Sequence, residues 1–198
     1  MLLDEFRDDL TRLDDEQIVK KYFLSDGAAH VDQDKIAHIQ AVIAASYGMD
    51  RDKIDVVITG SAKTGFTTIS KTLSNGTKSP KYSAFDISSD IDVAIISPKL
   101  FDTIWHEFSR FSSGKPFYPW RSGRLGDYLV CGWLRPDHFP QSAYLYNANE
   151  WWPTFERLSR SSKFGRRRVN GGLFHSAEHL KIRLKKVVQE SRLEEFQL

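Results

Sequence analysis

The sequence predicts an α+β fold in which a mixed β-sheet packs on helices. Two short apolar segments rich in β-branched residues, 54–59 and 91–96, are typical of buried strands. They lie between stretches in which apolar residues recur every three or four positions, the pattern of amphipathic helices. A chain of 198 residues, 40% of them hydrophobic, is long enough for one compact domain with a substantial core.

The N-terminal part is predicted to be helical up to the first strand. One amphipathic helix is followed by a second helical stretch from Asp14, which the turn Ser25–Gly27 ends. Asp34 is predicted to cap a third helix, and Gly48 to end it in a left-handed conformation. The first strand is then Ile54–Thr59. The apolar residues that define the first helix are Leu3, Phe6, Leu10 and Leu13.

The remaining elements follow from the same patterns. They are, in order, a polar loop over 70–84, a strand Ile91–Ile96, a helix through 100–111, an irregular stretch over 112–126, a strand Asp127–Trp133, a helix around Trp151–Leu158, a strand Arg166–Phe174 and a basic C-terminal helix. We interpret 1–198 as a single domain. Its core spans about 34–140, with N-terminal helices over 1–33 and a basic C-terminal segment over 141–198.

The net charge of +2 is unevenly distributed along the chain. Residues 1–60 hold 13 acidic and 7 basic side chains, whereas residues 157–192 hold 11 basic and 2 acidic ones. A basic C-terminal third favours a polyanionic partner, but the same residues could equally form the solvated face of a helix.

Several classes of protein are disfavoured. Cys131 is the one cysteine, so no intrachain disulfide can form and a structural zinc site is not expected. The N-terminus carries acids where a secretion signal has bases, and no apolar run is long enough to cross a membrane. We therefore expect a soluble, cytoplasmic protein without membrane insertion.

Asp90 and Asp92 form the first chemically informative motif. Residues two apart on a strand point to the same face, which would place the two carboxylates side by side with Ile91 and Val93 facing the core. Like charges at that separation repel, so a cation is expected between them. Magnesium is a hard ion that prefers carboxylate and phosphate oxygens. The alternative is a strand end where acids merely face solvent.

Gly60 and Ser61 form the second motif, at the end of the first strand. Glycine allows backbone amides to approach a phosphate, Ser61 adds a hydroxyl donor and Lys63 a positive charge. The alternative is an ordinary glycine turn. The segment is not a Walker loop, because Phe66 stands where that loop needs lysine.

In this order the two motifs, ITGSAKTGF and SSDIDVAII, resemble the polymerase-β nucleotidyltransferase superfamily. The resemblance covers about residues 54–100. It implies a nucleotidyltransferase-like sheet, triphosphate binding by Gly60, Ser61 and Lys63, and Mg²⁺ (or Mn²⁺) held by Asp90 and Asp92. It also implies a third acid on a neighbouring strand. We expect Asp127 to be this third acid, and Asp137 is the nearest alternative. In the strand Arg166–Phe174, the polar residue at the comparable position is Asn170, which is not an acid.

The function that the resemblance implies is metal-dependent transfer of a nucleotidyl group from an NTP or dNTP to a hydroxyl. The acceptor would be a nucleic acid, an oligonucleotide or a protein. Small bacterial members of this superfamily are similar in size and belong to toxin–antitoxin or antiphage defence systems, which implies an effector or toxin protein encoded in the same operon as a partner. A catalytically inactive binding module lacking the third carboxylate is the alternative. A glycosyltransferase using Asp-x-Asp for manganese would leave the Gly–Ser turn unexplained.

Other side chains carry weaker signals. Trp152, Trp151, Tyr144 and Tyr146 could stack on bases, although such aromatics are more often core. Arg166–Arg168 could meet phosphates or lie in a surface loop. His175 and His179 lack the glutamate of a zinc-hydrolase motif.

Overall fold

The computed structural model describes residues 2–72, 76, 78–114 and 122–196. Its central feature is a four-stranded sheet in the order β1-β4-β6-β5. Strand β1 (Asp55–Thr59) pairs antiparallel with β4 (Ile91–Ile96), β4 pairs parallel with β6 (Val169–Phe174), and β6 pairs antiparallel with β5 (Trp133–Leu134). The predicted class, a mixed sheet packed on helices, is therefore confirmed.

Helices cover both faces of this sheet. They are α1 (Leu2–Arg12), α2 (Asp15–Ile18, continued by a π-helical turn Val19–Phe23), α3 (Gln33–Ser46), α4 (Gly60–Thr64), α5 (Pro98–Ser113), α6 (Ser122–Val130), α7 (Tyr146–Arg160) and α8 (Ala177–Phe196). A small hairpin of β2 (Lys71–Thr72) and β3 (Lys78–Ser79) lies between β1 and β4 in the chain. None of the helices described here is long and apolar enough to cross a bilayer.

Two cores result from the alternation of side chains along β4. Ile91, Val93 and Ile95 face a cluster formed with α3, α5 and α7, which includes the fully buried Ile43, Ile104 and Trp151. Ala94 and Ile96 face the opposite cluster, formed with α1, the π-helical turn and α8. The strand is buried on both faces, which explains why its sequence is almost continuously apolar.

Two predicted helix boundaries can be compared with the structure. The cap of α3 is Asp32, whose carboxylate accepts a hydrogen bond from the backbone amide of Lys35 (2.8 Å), and not Asp34 as predicted. Gly48 does adopt the expected left-handed conformation after this helix, with φ +58°. Both results follow from the need to pair the free backbone groups at helix ends.

The predicted third strand Asp127–Trp133 is wrong. Residues 122–130 form α6, and only Trp133–Leu134 pairs as a strand. In the helix, Leu125 and Leu129 lie one turn apart and pack on the first core, whereas Val130 is 87% exposed. A run of apolar residues this short fits a helix and a strand equally well, and here tertiary packing selects the helix.

Two predictions fall partly on residues outside the described ones. In the predicted loop 70–84, residues 73–75 and 77 lie outside, and the described remainder contains β2 and β3. In the predicted irregular stretch 112–126, residues 115–121 lie outside. The strand predicted over 166–174 is confirmed for Val169–Phe174, which form β6 inside the sheet, whereas residues 166–168 precede it.

Candidate active site

The two sequence motifs meet where β1 ends and β4 begins. In the antiparallel register Thr59 pairs with Asp92, so Gly60 follows directly beside the carboxylate of Asp92. A methyl group at position 60 would lie 2.8 Å from Oδ2 of Asp92, closer than side-chain carbons approach such an atom. Gly60 also has φ +61°, which glycine adopts without strain. The Gly–Ser turn and the acidic pair therefore form one site.

The acidic pair is completed on its other side by an amide. Asp92 pairs across the parallel strands with Asn170, and Nδ2 of Asn170 donates a hydrogen bond to Oδ2 of Asp90 (2.9 Å). Burial raises the pKa of the Asp92 carboxyl above its ordinary value, Lys71 opposes this shift, and the charge of Asp90 adds to it. The side chain of Asp92 is still 38% exposed, so a ligand can reach it.

Gly60, Ser61, Asp92 and Asn170 line a cavity of about 780 Å³, a volume typical of ligand sites, and Asp90 lies beside it, directly before β4. Its wall also takes residues from the segment before β2, from the start of β6 and from the region around β5. The charged, polar and aromatic side chains that line it include Thr67, Lys71, Asp92, Trp133, Arg135, Asp137, Trp152, Glu156, Arg168, Asn170 and Arg183. A more open basin of about 940 Å³ lies between α5 and the start of α7. Its lining contains neither motif, so the smaller cavity is the candidate site.

Comparison with protein-family models, with curated proteins and with solved structures finds no match to this chain. The function has to be inferred from the geometry of the cavity itself.

No third carboxylate joins the pair in the part of the chain that the structure describes. No group of three or more His, Cys, Asp or Glu side chains comes together there. Asp127, the predicted third acid, is exposed on α6 and not on a strand beside β4. Asp137 and Glu156 line the cavity but form ion pairs with Arg135 (2.7 Å) and Arg160 (2.6 Å). The neighbouring strand presents Asn170 instead.

The predicted phosphate-binding residues divide into two groups. Gly60 and Ser61 line the cavity. Lys63 serves another purpose, because its buried ammonium donates to the backbone carbonyls of Ser25 and Gly27 and so holds that turn. The same burial lowers the pKa of Lys63. Lys63 is therefore committed to the fold and does not supply the charge that was predicted at the phosphates.

Two other cations lie near the pair instead, of which the sequence marks only Arg168. Nζ of Lys71 is 3.8 Å from Oδ2 of Asp92, and the positive charge of Arg168 also acts on Asp92. Arg168 belongs to the basic run that was noted in the sequence, but Lys71 lies in the polar segment predicted to be a loop. No local motif marks it, since its position depends on how that segment is anchored to α8.

The aromatic residues in and just before α7 differ in how exposed they are and in which cavity they line. Trp151 is 2% exposed and belongs to the core, as expected for most such aromatics. Trp152 is 52% exposed and lines the cavity, where a flat ring is available to stack on a ligand. Tyr144 and Tyr146 are exposed at the rim of the larger basin and not at this site.

Three cations of the basic C-terminal helix are paired with acids of the N-terminal part, and an acid of the same helix is paired with Arg7. Lys181 and Lys185 both bind the carboxylate of Glu16 on α2, the second at 3.1 Å. Arg192 lies 3.4 Å from Asp15, and Arg7 of α1 lies 3.1 Å from Glu195. The acidic N-terminal and basic C-terminal parts thus pair with each other, which favours a structural explanation of the basic helix over a polyanion-binding one.

The donor set of the site suits a hard divalent cation. Asp90 and Asp92 offer carboxylate oxygens, which are the ligands that Mg²⁺ and Mn²⁺ prefer. The two negative charges repel each other, so a cation bound between them would be stabilised. Asp92 is exposed to the cavity, so such a cation could reach it.

Proposed function

We propose that this protein is a small nucleotidyltransferase of the polymerase-β type, which binds a nucleoside triphosphate with Mg²⁺ (or Mn²⁺) in the 780 Å³ cavity. One observation carries the proposal: Gly60 lies directly against the carboxylate of Asp92, because Thr59 and Asp92 pair across β1 and β4. The Gly60–Ser61 turn resembles the triphosphate-binding turn of that superfamily, and Asp90 and Asp92 resemble its metal-binding pair. The turn and the pair must lie next to each other if they are to act on one substrate.

Each part of the cavity has a role in this proposal. Asp90 and Asp92 hold the cation, which when bound neutralises phosphate charge and stabilises the charge that develops during phosphoryl transfer. Ser61 and the backbone amides of the turn bind phosphate oxygens. Lys71 and Arg168 take the electrostatic role that the sequence assigned to Lys63. Trp152 provides a surface on which a base of the nucleotide or of the acceptor stacks.

The acceptor class follows from the resemblance and from the charges at the cavity. A nucleic-acid, oligonucleotide or protein hydroxyl remains the proposed acceptor, and an effector or toxin protein from a defence operon the proposed partner. Lys181, Lys185 and Arg192 of α8 are paired with Glu16 and Asp15. A nucleic-acid acceptor is therefore recognised by the cations that line the cavity, Arg168 before β6 and Arg183 on the cavity side of α8.

The test is metal-dependent release of pyrophosphate from α-labelled NTPs and dNTPs. We expect the wild-type chain to bind at least one triphosphate with Mg²⁺ or Mn²⁺ and to transfer its nucleotidyl group. Asp92→Asn should abolish both, because it removes a metal ligand while preserving the shape of the side chain. Asp127→Asn is the matched control, since Asp127 is exposed on α6, and it should retain wild-type activity. Unchanged activity in Asp92→Asn would contradict the proposal.

Asn170 favours a second candidate, a nucleotide-binding module that does not turn over. The neighbouring strand places an amide where the superfamily has its third acid, and this amide already donates to Asp90. Binding of the labelled nucleotide without any pyrophosphate release, with all eight common NTPs and dNTPs, would support the module over the enzyme.

A further inference from the structure

Asn170 differs from a carboxylate in what it offers a cation. Its Nδ2 group donates to Oδ2 of Asp90 at 2.9 Å, so a hydrogen-bond donor faces the acidic pair from β6. A third carboxylate at this position would add a negative charge and two further oxygen ligands. The amide adds no charge, and its donor uses one of the lone pairs of Asp90, so a second ion would lack the third carboxylate at this position.

Two cations of the chain already lie near the pair. Lys71 lies 3.8 Å from Asp92, and Arg168 is close enough to act on its charge. Together these two side chains carry the positive charge of one magnesium ion. They can compensate part of the negative charge of a bound triphosphate, although they cannot activate an acceptor hydroxyl as a second ion does.

Lys71 is held in this position by contacts made by its own segment. The backbone amide and the hydroxyl of Ser70 both donate to Oε2 of Glu194 on α8, at 2.9 and 3.1 Å. Lys71 follows directly in the chain, so its backbone is placed beside the cavity before any ligand arrives. A preorganised cation loses less conformational entropy on binding phosphate than a free lysine does.

From these observations we infer that the site holds one divalent cation per bound triphosphate, with Asn170 excluding the second ion and Lys71 and Arg168 supplying the missing charge. The inference rests on the proposed nucleotide site and goes further, because the superfamily that the motifs resemble binds two ions. A site with one ion can still bind the triphosphate. It lacks the ion that lowers the pKa of an acceptor hydroxyl, so Asn170 limits the rate of transfer.

The experiment counts Mn²⁺ ions by the electron paramagnetic resonance signal of the free ion. The protein is saturated with an α,β-methylene triphosphate, which binds but cannot be cleaved, and Mn²⁺ is then titrated. We expect one tightly bound Mn²⁺ per protein–nucleotide complex in the wild type and two in Asn170→Asp. Asn170→Ala is the matched control: it removes the amide without adding a ligand and should keep the count at one.

The outcomes separate the inference from the proposed function. A wild-type complex with two tightly bound ions overturns the inference and leaves the nucleotide site intact. A protein that forms no complex with the analogue and Mn²⁺ overturns the proposed function, and the inference with it. If Asn170→Asp does not fold, the wild-type count decides alone. A count of one in the folded Asn170→Asp variant would show that position 170 does not control the second ion, which also overturns the inference.

Discussion

At the scale of single residues, Gly60 decides whether the site can form. Two demands meet at this position, a backbone with φ +61° and the absence of a side chain beside Oδ2 of Asp92. Gly48 meets only the first demand. Gly48 has nearly the same backbone conformation, with φ +58°, but nothing lies within 4 Å of where its side chain would begin. A substitution at Gly48 therefore introduces backbone strain alone, whereas a substitution at Gly60 introduces the same strain together with a contact at Asp92.

We expect Gly48→Ala to cost about 1 kcal/mol of unfolding free energy, the strain of a left-handed alanine. Gly60→Ala should cost at least about 1 kcal/mol more, because its methyl group displaces the Asp92 carboxylate. It should also weaken binding of the Mg²⁺–triphosphate complex, which Gly48→Ala should leave unchanged. Urea unfolding and calorimetric titration measure the two effects. Equal losses of stability and binding in the two variants would mean that Asp92 does not contact position 60.

At the scale of elements, the segment between the two motifs is attached to the last helix. Glu195 of α8 accepts hydrogen bonds from Lys81 (2.8 Å), Tyr82 (2.5 Å) and Arg7 (3.1 Å). Burial alone would raise the pKa of Glu195, but these three donors lower it to about 2. The carboxylate therefore joins three parts of the chain that are far apart in sequence. This attachment holds the wall of the cavity that carries Lys71.

Glu195→Gln should destabilise the protein by about 2 kcal/mol at neutral pH, because it removes a carboxylate bound by three donors. A carboxyl whose pKa is lower in the folded state contributes stability that is fully present above its ordinary value of 4.5. That contribution is lost as the pH falls toward 2. The difference in unfolding free energy between wild type and variant should therefore shrink over this window. A constant difference from pH 6 to pH 3 in urea unfolding would contradict the assignment.

At the scale of the whole molecule, part of the uneven charge of the sequence is balanced where the chain ends meet. Glu16 binds Lys181 and Lys185, and Asp15 binds Arg192, across the contact of α2 with α8. These pairs are largely exposed, so each adds little stability. Their main effect is to cancel the field of the basic helix, which would otherwise attract polyanions.

The variant Asp15→Asn/Glu16→Gln should bind heparin more tightly than the wild type, since it frees the cations of α8. The matched control Asp34→Asn/Asp50→Asn removes the same number of charges at exposed positions on and beside α3. Both double variants have the same net charge, so elution from heparin at increasing salt isolates the local effect. Identical elution of the two would show that the pairing does not mask the helix.

Much of the fold and the centre of the site could be predicted from local sequence. The strands β1 and β4 follow from apolar β-branched runs, and the left-handed Gly48 from its place after an amphipathic helix. The strand β6 was predicted although it contains two glycines. The Gly60–Ser61 turn and the pair Asp90 and Asp92 were recognised because each motif is a few consecutive residues. Such features depend on interactions between near neighbours, which the sequence displays directly.

What depends on distant contacts could not be predicted. The short apolar run after Asp127 becomes a helix because Leu125 and Leu129 find a core to bury them. Lys63 donates to the backbone carbonyl of Ser25 and does not face the acidic pair. Lys71 lies near Asp92 because the preceding residue of its segment binds α8.

The sequence by itself determined three of the four strands of the main sheet, the Gly60–Ser61 turn and the acidic pair. Only the tertiary structure decided which cations face that pair and that Asn170 stands in the third position, through the parallel register of β4 and β6. The physical reason is that a sheet joins residues about 80 positions apart, and nothing in local composition records which strand lies beside which.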